Sequence, residues 1–116
     1  MNILRPSIGD LYDRLTILEL KLRVQNRQHW SEEQESILRR LAPTFSVGLA
    51  SLVDALRTTN TNIWLANDIV AQLAKKPHPQ PNQMAVEMWK ENQERIRLIA
   101  EINKACGQPT SVEKAY

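Results

Sequence analysis

The chain has 116 residues, the size of one domain able to bury about two-thirds of its unfolded surface. Fifteen basic and thirteen acidic residues leave a net charge of +2, and the bases are scattered along the chain, which argues against a nucleic-acid footprint. Three glycines leave little material for phosphate-binding loops or β-turns, and no apolar run reaches the ~20 residues that cross a bilayer.

Pro6 and Ser7 open the first predicted helix, with Ser7 as cap and Asp10 three residues later at the positive end of the helix dipole. This helix, Ile8 to about Gln28, is apolar on two opposite sides at 100° per residue. Ile8, Leu11, Leu15, Leu18 and Leu22 form one stripe, and Ile17, Leu20 and Val24 form another. Two stripes predict partners on both sides, within the bundle or across a subunit boundary. After the polar connector QNRQHWS, the pair Ser31 and Gln34 forms a capping-box pattern that starts a short second helix at Glu32. That helix carries Ile37, Leu38 and Leu41 inward and stops or kinks at Pro43.

From Thr44 or Ser46 the longest helix begins, with Leu49, Leu52, Leu56, Thr59, Ile63, Ala66, Val70 and Leu73 in alternating steps of three and four. At about 30 residues it should span ~45 Å and outreach the first helix, an overhang that invites a second subunit. Prolines in residues 77–81 predict an extended linker. The last helix, from Asn82 or Met84 to Ala105, turns Met84, Met88, Ile99, Ile102 and Cys106 inward, with Gly107 as C-cap and a polar tail over 108–116. The expected fold is all-α: one domain over 1–116, an antiparallel bundle of three long helices and one short one.

Polar side chains on apolar faces are the informative feature. Asp13 lies on the second stripe of the first helix, Asn60 and Asn67 on the seam side of the third, and Asn92, Arg95 and Asn103 on the inner face of the last. An unpaired buried amide costs ~1–3 kcal/mol and a charge more, so these groups should meet each other or a ligand. Arg95 with Asp13 is the expected ion pair, with Asn60 or Asn92 completing its hydrogen bonds. The layer either fixes helix register or lines a pocket for a small anionic or sugar-bearing ligand on which Trp64 stacks.

Catalytic patterns are thin. Glu91 and Glu94 make an E-x-x-E, without the second acidic motif that helical Mg²⁺-dependent pyrophosphohydrolases carry, and read as a solvated face. Asp10 is explained by its helix terminus, and His29, His78 and the lone Cys106 form no catalytic or metal set. No metal and no cofactor are expected. The lone cysteine suggests a reducing compartment, and MNILRPSIGD has no signal-peptide core, so a cytoplasmic location is expected.

The segments SIGDLYDRLTILELK (7–21), NTNIWLAND (60–68), NQERIRLIAEIN (92–103) and VEKAY (112–116) together resemble an uncharacterised bacterial family of short helical proteins. Its members often occur beside, or fused to, glycosyltransferases and tetratricopeptide-repeat proteins of surface-polysaccharide loci. The resemblance carries over Gly9, Asp13, Thr16, Glu19 and Lys21, then Asn60, Trp64 and Asp68, then Asn92, Arg95 and Asn103, and finally Glu113, Lys114 and Tyr116. Asn67 and Val70 depart from the family pattern, which expects an acid and an arginine there.

Two functions are expected from these readings. One is a non-catalytic interaction or accessory module, a homodimer serving a glycosyltransferase or another protein of sugar metabolism. The alternative is a small sugar- or nucleotide-sugar-binding protein or enzyme. Its candidate ligand residues are Asp13, Glu19, Asn60, Trp64, Asp68, Asn92, Arg95 and Asn103.

Overall fold

The computed structural model describes residues 6–73 and 81–108, with side chains described for 6–67 and 86–108. Among the described residues four helices follow in order: α1 (Ile8–Val24), α2 (Gln28–Leu41), α3 (Val47–Leu73) and α4 (Pro81–Ala105), with a 3-10 turn at Ala42–Thr44 between α2 and α3. The fold is an all-α bundle. The side chains of Asp68, Val70, Leu73 and Met84, and the whole of His78, Glu113, Lys114 and Tyr116, lie outside the described residues.

Every donor at the start of α1 is spoken for. Ser7 Oγ accepts from Asp10 N (3.0 Å) and the Asp10 carboxylate accepts from Ser7 N (3.2 Å), a complete capping box. The next two N–H groups leave the helix altogether: Ile8 N donates to Gln108 Oε1 and Gly9 N to Asn103 Oδ1, both at 2.7 Å. The C-terminus of α4 thus caps α1. Gly107, at φ +72°, turns the chain in the left-handed region open to glycine, so that Gln108 N reaches the Asn103 carbonyl.

α1 is the hub, approaching α2, α3 and α4, whereas among the described residues the backbone of α2 approaches α1 but neither α3 nor α4. Along α1 the partner numbers fall on α2 (Arg14 to Glu33, Lys21 to Trp30) and on α4 (Gly9 to Asn103, Asp13 to Arg95). The core lies where Leu11, Leu15 and Leu18 of α1 meet Ile37 and Leu41 of α2, Leu49, Val53 and Leu56 of α3, and Leu98, Ile99 and Ile102 of α4. Each such side chain, fully buried, contributes about 1.5–3 kcal/mol.

Several element boundaries differ from the sequence reading. α1 stops at Val24 rather than near Gln28, because Gln25 is already extended at φ −149°. α2 starts at Gln28, not Glu32, and the Ser31 capping box does not form; Arg27 is the N-cap without a side-chain bond. Starting one turn early carries the half-buried Trp30 onto the core, with Lys21 and Arg27 over its ring at 5.3 and 5.4 Å. α3 begins after Ser46, whose hydroxyl accepts from Leu49 N. Its buried row is Leu49, Val53, Leu56, Thr59 and Asn60, with Leu52 only partly covered. Leu38 points outward rather than into the core, and Leu98, absent from the expected inner face of α4, is buried. Pro81 is the first residue of α4 and not part of a linker, a position where its missing N–H costs nothing.

Candidate functional site

Asp13 is the centre of the polar layer. Arg95 grips it with two bonds, Nε to Oδ1 at 2.8 Å and Nη2 to Oδ2 at 2.5 Å. Asn60 Nδ2 donates to the same Oδ1 at 2.9 Å and to Thr16 Oγ1 at 2.7 Å, and the Thr16 hydroxyl donates to the Asp13 carbonyl at 2.8 Å. Three helices therefore place α1, α3 and α4 side chains in one closed network. Asp13, Thr16 and Asn60 are buried, while the Arg95 side chain keeps about a third of its surface exposed. The hydrogen bonding to the Asp13 carboxylate outweighs desolvation and raises the Arg95 guanidinium above its ordinary range.

Among the described residues, the remaining sequence candidates make no hydrogen bond to this layer. Asn92 donates to the Met88 carbonyl of its own helix at 3.0 Å. Asn103 sits at the far end of α4, fully buried, accepting from Gly9 N. Only its oxygen can face that N–H, which fixes the amide orientation and leaves Nδ2 buried without a partner among the described residues. Glu19 points to α3, where it binds Arg57 through Nε at 2.8 Å and Nη2 at 3.4 Å. Trp64 is half-buried, one turn beyond Asn60. The site thus resolves into a closed layer, a buried α1–α4 clasp and a separate ion pair.

The residue-by-residue reading did not single out Arg57. It follows the core residue Leu56 and precedes Asn60 by three positions, a signal that helical spacing could have supplied. A groove of about 450 Å³ opens beside it, walled by Leu15, Leu41 and Val53 and rimmed by Leu38 and Phe45. Among the described residues no group of three or more His, Cys, Asp or Glu is placed to hold a metal ion. Burial pushes the Cys106 thiol up, away from the reactive thiolate. No helix among the described residues is long and apolar enough to cross a membrane.

Comparison with protein-family models, with curated proteins and with solved structures finds no match for this chain.

Proposed function

We propose that the chain is a non-catalytic helical interaction module, a homodimer that serves as accessory subunit to a protein of sugar or surface-glycan metabolism. One observation carries the reading: the polar layer is bonded chiefly to itself, with both Asp13 oxygens, the Asn60 amide nitrogen, the Thr16 hydroxyl and the Nε and Nη2 of Arg95 engaged within it. A layer so closed specifies helix order, as inward polar residues do in coiled coils. Large apolar side chains meanwhile stand in solvent, where a surface built only for solubility would carry few of them.

Helical phase supports one choice of face for the proposed dimer. Ile17 and Val24 continue the Asp13 side of α1, and Ile96 and Trp89 continue the Asn103 row of α4 in steps of seven, the row that meets Gly9. Val24 is 72% and Trp89 62% exposed. The second apolar stripe of α1 thus has α4 as only a partial cover. The link to glycan metabolism rests on the sequence resemblance and its genomic company.

A second reading, a sugar or nucleotide-sugar ligand at the layer, is favoured by the exposed edge of Arg95. Thermal melting against sugars, sugar phosphates, nucleotide sugars and nucleotides separates the two. A ligand at a hundred times its Kd adds ~2.7 kcal/mol, roughly 10 °C for a domain of this size. The interaction module predicts no shift, whereas a shift lost on Arg95→Met would establish the ligand site.

A further inference from the structure

The corner where α1 gives way to α2 concentrates positive charge. From Leu20 to Ser31 the sequence holds Lys21, Arg23, Arg27 and His29, and no acid. Among the described residues Lys21, Arg23 and Arg27 join no ion pair, whereas Arg14, Arg57, Arg95 and Arg97 are each bound to a carboxylate. The acids nearest along α2 are already engaged. Glu33 is held by two bonds from Arg14, and Glu32 accepts from Gln28 Nε2 at 3.0 Å. Arg14, Lys21, Arg23 and Arg27 against Glu32 and Glu33 leave this corner with two positive charges in excess.

Two of these bases are also held in place. Lys21 Nζ, from the last turn of α1, and the Arg27 guanidinium, from the residue that precedes α2, both lie over the Trp30 ring, at 5.3 and 5.4 Å from its centre. One ring thus gathers two like charges, which repel each other until an anion stands beside both. Arg27 is exposed and Trp30 half-buried, so the pair is open to a partner. Two charges at one corner are too few for a nucleic acid, which needs a basic stripe. They suit a short run of carboxylates, which a guanidinium can grip with two bonds.

Resting on the interaction-module reading, we propose that the corner between α1 and α2 docks a short acidic segment of the partner protein. Its carboxylates meet Lys21 and Arg27 at the rim of Trp30.

Two labelled peptides of equal length, one with a run of glutamates and the other with glutamines in their place, test this by fluorescence polarisation. At low salt the glutamate peptide should bind at least about tenfold tighter, and the preference should fade as salt rises. Lys21→Gln/Arg27→Gln should abolish the preference, while Lys21→Arg/Arg27→Lys, which keeps both charges, should retain it. Arg40→Gln removes an exposed base at the other end of α2 and should change nothing. Circular dichroism checks that each variant is folded. Equal affinity for the two peptides, binding by neither, a preference that survives Lys21→Gln/Arg27→Gln, or an equal loss in Arg40→Gln would overturn the proposal. So would inorganic phosphate binding more tightly than the glutamate peptide, which would mark a phosphate site. None of these outcomes bears on the polar layer or on the Val24–Trp89 face, so the broader reading fails or stands separately.

Discussion

A methyl group on Gly9 would stand 2.4 Å from the Ile99 carbonyl oxygen and 2.9 Å from Asn103 Oδ1. Backbone cannot yield as a flexible side chain does, so α1 and α4 would have to separate at the clasp that caps α1. Gly9→Ala should therefore destabilise the fold by about 1–3 kcal/mol, despite the better helix propensity of alanine, and urea denaturation measures it. An equal or higher midpoint would refute the close approach. The Asp13–Arg95 pair was legible in the sequence because two opposite charges on apolar faces have few other ways to be buried. Asn92 misled because an amide on a helix can also satisfy itself on the carbonyl four residues back. Glu19 with Arg57 was hidden because neither sits on a predicted inner face, and their meeting depends on how α1 lies against α3.

At the scale of the helices, α2 is held by Ile37, Leu41 and Trp30 and by the two-pronged pair of Arg14 with Glu33, at 2.8 and 2.9 Å. The hydrogen bond from Arg14 holds the Glu33 carboxyl below its ordinary value of 4.5. A carboxyl depressed in the folded state stabilises above its unfolded value, and the contribution is lost as the pH falls through the folded one. Both side chains are more than a third exposed, so screening limits the pair to about 1 kcal/mol or less. Glu33→Gln should lower stability at neutral pH by up to that amount, with the gap to the parent closing below pH ~4. A gap constant down to pH 3 would show that the pair is not the cause. Helix existence and type were legible from periodicity, including the cap at Ser7 and the stop at Gly107. The start of α2 was not, because burying Trp30 against α1 outweighed the local cap offered by Ser31.

For the whole molecule, the two-sided character of α1 organises the structure: one side feeds the core shared with α2, α3 and α4, the other carries Asp13 to Asn60 and Arg95 and runs out into exposed Val24. α3 and α4, at 27 and 25 residues against 17 for α1, extend past it. On the function we propose, the polar layer locks this arrangement and a second copy binds at the exposed apolar surface. Light scattering of two variants tests that division most directly. Replacing the layer together, as Asp13→Leu/Asn60→Leu/Arg95→Met, should leave a folded dimer, because removing all partners avoids stranding a buried charge. Trp89→Asp should give a folded monomer. A monomeric layer variant beside a dimeric Trp89→Asp protein would contradict the account and place function in the layer.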